Sequence, residues 1–133
     1  MACRCKFECA KIEKFLAPYE SERGEWDVVI LDPPKLAPSK KVLDRALVKY
    51  TSLNAAAMKA LKPGGLLMTC SCSGAVAQGP PGTLLKAAAA AARPLRRPVT
   101  LVREGGASAD HVLDPHFPQG RYLTNLLLRV GEP

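Results

Sequence analysis

The sequence predicts an α/β domain built on a parallel sheet and ending in an antiparallel strand pair. Two continuous apolar runs of strand length point there, Val28-Val29-Ile30-Leu31 and Gly65-Leu66-Leu67-Met68. Between them, residues 41–61 carry Val42, Ala46, Val48, Leu53, Ala57 and Leu61 at roughly helical spacing. An order of strand, helix, strand, helix, strand implies right-handed crossovers and parallel neighbours.

Each element has its own signal. Residues 5–16, "CKFECAKIEKFL", read as a short strand running into a helix start. Val28 to Leu31 is continuously rather than alternately apolar, which predicts a strand buried on both faces, and Pro33-Pro34 stops it. "KPGG" at 62–65 ends the helix before it, since Pro and Gly continue a helix only at a cost. "GLLMTCS" then gives a second buried strand, and "GTLLKAAAAAA" a second helix ending near Pro94. "RPVTLVREG" and "YLTNLLLRV" read as strands with no helical pattern between them, hence the antiparallel pair. Ligands of such sheets bind at the carboxyl ends of the strands. Both Asp32-Pro33-Pro34 and Cys70-Ser71-Cys72 fall there.

At 133 residues the chain has the length of one domain, spanning 1–133. Its formal net charge of +7 suits a polyanionic partner such as RNA, whose phosphates Lys and Arg neutralise. Aromatic residues make up only 5%, which argues against a stacking platform for single-stranded RNA. Charges break "MACRCKFECAKIEKF" throughout, so it does not read as a secretory signal. Five cysteines, an odd number, are then expected as reduced thiols in a cytoplasmic compartment, or in an organelle matrix if a targeting segment lies upstream. No apolar run has transmembrane length, so no membrane partner is expected.

Asp-Pro-Pro after an apolar strand is either a plain strand stop or a rigid site. In the second reading the proline carbonyls accept from a base amino group while the Asp32 carboxylate orients substrate or takes a proton. Cys70 is the candidate nucleophile. A thiolate can add to carbon 6 of a pyrimidine and so activate carbon 5 for methylation. A buried structural cysteine is the plainer reading, and for Cys72 the favoured one. Strand alternation puts both on one side, so periodicity does not separate them. Cys3, Cys5 and Cys9 lack the paired spacing of a zinc site. His111 and His116, in the proline-containing stretch "DHVLDPHFP", read as structural.

Taken together, "WDVVILDPPKLAPSKKVLDRALVKYTSLNAAAMKALKPGGLLMTCSCS" and the later "ADHVLDPHFPQGRYLTNLLLRV" resemble the ribosomal RNA large-subunit cytosine-5 methyltransferase family. The resemblance runs from about Lys6 to Val130. Asp32-Pro33-Pro34, the set Tyr50, Leu53 and Asn54, the "KPGG" turn and the "TCSCS" run occur in the family's order. It implies a Rossmann-like fold, S-adenosylmethionine as cofactor and ribosomal RNA as partner. It also implies cofactor and base placement by Asp32, Pro33 and Pro34, with Cys70 as nucleophile.

Departures from the family pattern carry their own expectations. The glycine-rich cofactor loop, the acidic ribose-binding residue and the amino-terminal RNA-binding domain have no counterpart. Lys11 stands where the family has an adenine-contacting aspartate, Val112 where it has proline, and Thr124 where it has lysine. A partial methyltransferase domain is expected, truncated on its amino-terminal side, that binds S-adenosylmethionine weakly or not at all by itself. The Val28 to Leu31 strand would then have an open edge, inviting self-association or a partner chain. Two other readings are a non-catalytic basic remnant that binds RNA or a partner, and an amino-group nucleic-acid methyltransferase in which Cys70 is idle.

Overall fold

The computed structural model describes residues 5–20 and 24–132. A short helix, α1 (Ile12–Leu16), leads into a 3-10 turn at Ala17–Glu20. Strand β1 (Trp26–Leu31) follows. After a loop and a 3-10 turn at Lys40–Val42 comes α2 (Leu43–Ala60), which runs directly into β2 (Leu61–Ser71). A single turn, α3 (Gly74–Ala77), precedes α4 (Thr83–Ala92), and β3 (Val99–Gly105) and β4 (Thr124–Val130) complete the sheet.

The sheet order is β1-β2-β4-β3. β1 and β2 are parallel, and β4 lies antiparallel to both β2 and β3. The last strand therefore inserts between its predecessors rather than adding at the edge. Its side chains explain this: Leu126, Leu128 and Val130 are fully buried, as a central strand requires, whereas most of β3 is exposed.

Alternation along each strand separates two faces. Leu31, Leu67, Leu126, Leu128 and Val130 turn inward against Tyr50, Leu53, Ala57 and Met58 of α2 and Leu84, Ala88 and Ala91 of α4. The alanines of α4 let the two helices approach closely. Val28, Ile30, Leu66, Met68 and Leu127 turn the other way, and no helix among the described residues covers them.

Three expectations need correction. β1 is not buried on both faces: Val28 is 52% and Ile30 67% exposed, because helices lie on one face only and β1 is an edge strand. Residues 5–11 form no strand. No partner strand among the described residues offers them a ladder, and Phe7 is 94% exposed. The "KPGG" turn lies within β2 rather than before it. It forms an irregularity, with Trp26 paired to Leu61 but Val28 already to Leu66. Gly64 takes a left-handed φ of 79° there, and a Cβ on Gly65 would meet the Lys62 carbonyl oxygen at 2.9 Å, which explains both glycines.

One fastening was not anticipated. Arg97, only 8% exposed, donates from Nε to the Gly131 carbonyl (2.8 Å) and from Nη1 to those of Leu61 (2.9 Å) and Met58. Its Nη2 donates to the carbonyls of Lys62 (3.0 Å) and Val130 (3.4 Å). One planar guanidinium thus ties the end of α2, the start of β2 and the end of β4. Burial holds its pKa below the ordinary value.

Candidate active site

Pairing of Leu31 with Thr69 ends the β1–β2 ladder, and both side chains are buried. The next residues, Asp32 and Cys70, therefore stand beside each other on the opposite side, at the carboxyl ends of two parallel strands. Asp32 is exposed and Cys70 half-buried. Burial, and after it the charge of Asp32, push the Cys70 thiol up from its ordinary pKa. A thiol and a carboxylate thus stand side by side at the strand ends, and burial together with the carboxylate's charge favours the protonated thiol. Pro33 packs inward and Pro34 lies exposed.

The alternation of hydroxyls and thiols in "TCSCS" now has a physical meaning. Thr69, Ser71 and Ser73 are buried while Cys70 and Cys72 face the other way, half-buried. The hydroxyls form a latch. Tyr50 Oη lies 2.8 Å from Ser71 Oγ and 3.4 Å from Ser73 Oγ. Ser71 Oγ accepts from the Ser73 amide (3.2 Å), and Ser73 Oγ accepts from the Ala37 amide (3.1 Å). The last bond joins the loop after Asp-Pro-Pro to the segment carrying the cysteines, fixing Asp32 relative to Cys70. One helical turn on, Asn54 donates to the Tyr50 carbonyl (2.8 Å), leaving its Oδ1 unpaired. Thr69 Oγ1, one strand repeat before Ser71, is also unpaired. α2 runs antiparallel to β2, so these two atoms continue the Tyr50–Ser71 contact along one interface.

Tyr50→Phe should therefore cost roughly 1–2 kcal/mol, the usual range for a buried hydrogen bond broken on one side. Urea unfolding of the variant beside the parent measures it. An unchanged midpoint would mean that the latch carries no load.

The segment 106–123 walls the same end of the sheet, because Thr124 pairs with Ser71 and Asn125 with Cys70. Gln78 Nε2 donates to the carbonyls of Arg121 (3.0 Å) and Pro118 (3.3 Å) and so ties this wall to the end of α3. Beside it lie a cleft of about 620 Å³, lined by Gln78, Asp114, Phe117 and Arg121 among others, and one of about 600 Å³ bordered by His111, Arg121 and Tyr122. His111 packs edge-to-face on Tyr122 at 5.3 Å, with Nε2 3.3 Å from the Gly120 carbonyl. His116 Nδ1 lies 3.2 Å from Asp114. Cys5 and Cys9 lie exposed ahead of α1, and Cys3 falls outside the described residues. No group of three or more His, Cys, Asp or Glu among the described residues is placed to hold a metal ion. No helix among them is long and apolar enough to cross a membrane.

Comparison with known proteins adds homology. The chain is 44% identical over 119 residues to ribosomal RNA large subunit methyltransferase I of Photobacterium profundum, covering 89% of this chain and 29% of that protein. It is 39% identical over 121 residues to the protein of the same name from Shewanella frigidimarina, covering 91% and 30%. The chain thus spans less than a third of the length of the curated relatives it matches. No protein-family model matches it. Among solved structures, a methyltransferase complexed with SAH superposes with a TM-score of 0.69 at 15% identity, over 91% of this chain and 30% of that one. A SAM-dependent methyltransferase from Streptococcus mutans superposes at 0.67 and 14%, with the same coverage. These superpositions bear out the Rossmann-like methyltransferase fold, and the sequence matches bear out the resemblance to large-subunit ribosomal RNA methyltransferases.

Proposed function

We propose that this homologue of large-subunit ribosomal RNA methyltransferases forms the part of an S-adenosylmethionine-dependent domain that attacks and holds the target base. The base is cytosine, methylated at carbon 5. The observation that carries this reading is the side-by-side placement of Asp32 and Cys70 at the ends of β1 and β2, fixed by the Tyr50–Ser71–Ser73–Ala37 latch. The donor set fits one side of the cofactor: an exposed carboxylate and an exposed Pro34 beside the thiol. S-adenosylmethionine, when bound, supplies an electrophilic methyl group. Asp32, Pro33 and Pro34 would line its reacting end and the exocyclic amine of the base.

The chain's own residues do the rest. Asp32 takes the thiol proton as the base enters. Cys70 Sγ then adds to carbon 6, and the electron pair of the 5,6 double bond becomes available at carbon 5 for the methyl group. Loss of the carbon-5 proton to a base returns that pair to the ring, and the carbon–sulfur bond breaks to release the thiolate. Cys72, one strand repeat on, stays out of line with carbon 6. The open edge and uncovered face of β1 support a second feature: the remaining part of such a domain, or another chain, packs against Trp26, Val28 and Ile30.

Alkylation tests the electrostatics of the pair. With the Cys70 pKa held up, its reaction with iodoacetamide should be slow near neutrality and climb as pH rises through and above the usual thiol range. Asp32→Asn removes one of the two causes. It should speed alkylation of Cys70 at a given pH while abolishing methyl transfer. Unchanged alkylation in that variant would separate the two residues and remove the basis for Asp32 as proton acceptor. The reaction itself is tested by incubating ribosomal RNA fragments and labelled S-adenosylmethionine with the chain fused to the remaining part of a relative. Label at cytosine carbon 5 is expected. Label on an exocyclic amine would overturn the reading.

A further inference from the structure

The loop that leaves the active site carries charge that the reaction does not use. Residues 35–45 hold Lys35, Lys40, Lys41 and Arg45 against one carboxylate, Asp44, all exposed. This stretch accounts for three of the chain's seven net positive charges. Among the described residues, the lysine ion pairs Lys6–Glu8, Lys49–Glu13 and Lys62–Asp27 occupy other lysines, and none involves these four. The cluster is also held in place. It starts three residues after Asp32, and the Ala37 amide within it donates to Ser73 Oγ at 3.1 Å, just past Cys70 and Cys72. Its apolar members face inward, with Ala37 buried and Leu36 and Leu43 packed against the core. The exposed surface is therefore cationic without an apolar stripe, which suits a phosphate backbone and not a lipid surface.

We infer that Lys35, Lys40, Lys41 and Arg45 form a phosphate-binding rim that grips the RNA backbone beside the target base at the Asp32–Cys70 opening. The inference rests on the proposed function for the identity of that base. The rim supplies affinity and register, while Asp32 and Cys70 act on the base itself. Four cations of this kind account for about three units of salt slope on single-stranded RNA, at about 0.7 per neutralised phosphate.

The test is binding of a fluorescein-labelled single-stranded RNA oligonucleotide to the chain, without cofactor, followed by anisotropy across a potassium chloride series. Two variants each lose four charges. One carries K35Q, K40Q, K41Q and R45Q. The control carries K59Q, R93Q, R96Q and R129Q, at the opposite end of the sheet. The rim variant should bind at least about tenfold more weakly near 0.1 M salt, with a slope shallower by about three. The control should change affinity about twofold or less. Equal losses in both would overturn the inference, since net charge alone would then account for binding, and an unaffected rim variant would overturn it too. Lys40→Gln and Lys41→Gln singly, each expected to lower the slope by about 0.7, serve if the fourfold rim variant melts early. A chain that binds RNA through this rim while its fusion transfers no methyl group would overturn the proposed reaction and leave the rim standing. A fusion that methylates cytosine and loses no RNA affinity with the rim would overturn the inference alone.

Discussion

Cys70→Ala is expected to abolish methylation of cytosine carbon 5, by roughly a thousandfold or more, as loss of a covalent nucleophile does. The assay needs the remaining part of a relative supplied in a fusion. Cys72→Ala should keep most of the activity. The two thiols share a face of β2 and its extension, but only one sits beside Asp32, because the ladder pairs Leu31 with Thr69 and so sets Cys70 next in register. Carbon 6 must lie about 3–3.5 Å from the attacking sulfur, a tolerance that a step of one strand repeat exceeds. Comparable losses in both variants would mean that the thiols act together or that neither is the nucleophile. Each variant's thermal melt should match the parent's, since a half-buried thiol shortened to a methyl group leaves only a small cavity.

Arg97→Ala should produce the largest loss of stability, roughly 3–5 kcal/mol. The guanidinium serves five carbonyls, those of Met58, Leu61, Lys62, Val130 and Gly131, gathered where the end of α2, the start of β2 and the end of β4 meet. Each one left buried and unpaired costs on the order of 1–3 kcal/mol before relaxation and water recover part of it. Arg97→Lys should recover little, because a single ammonium cannot reach the ends of α2, β2 and β4 at once. Urea unfolding gives the number, and a loss below about 1 kcal/mol would show that solvent replaces the guanidinium readily.

These two residues mark what the sequence made legible. The place of Cys70 was readable because a thiol follows an apolar run where a parallel strand ends, while its role is only what the resemblance implies. Asp32 was readable for the same reason. Their side-by-side placement was not legible, since it depends on the register between β1 and β2, which the bulge at "KPGG" resets. Arg97 was invisible. "LRRPV" reads as a solvated basic turn, and nothing local says that one arginine turns inward to carbonyls 33–39 residues away. Tyr50 was part of the resemblance, but its bonds to Ser71 and Ser73 cross from helix to strand over more than twenty residues. The position of β4 was missed because strand order is a tertiary property. Its three fully buried side chains were nevertheless present in "NLLLRV". Val28 to Leu31 misled in the opposite direction. Continuous apolarity promises two covered faces, and the described residues cover one.

The most direct measurement of the central claim is a trap of the covalent step. RNA carrying 5-fluorocytosine, incubated with the fusion and S-adenosylmethionine, should form a stable adduct, because fluorine cannot leave carbon 5 as a proton does. The tryptic peptide that holds Cys70 also holds Cys72, so fragment-ion mass spectrometry must place the bond. The account predicts a pyrimidine on Cys70 Sγ and no adduct in Cys70→Ala. A pyrimidine on Cys72, or full methylation of unmodified RNA with no adduct on either thiol, would contradict it.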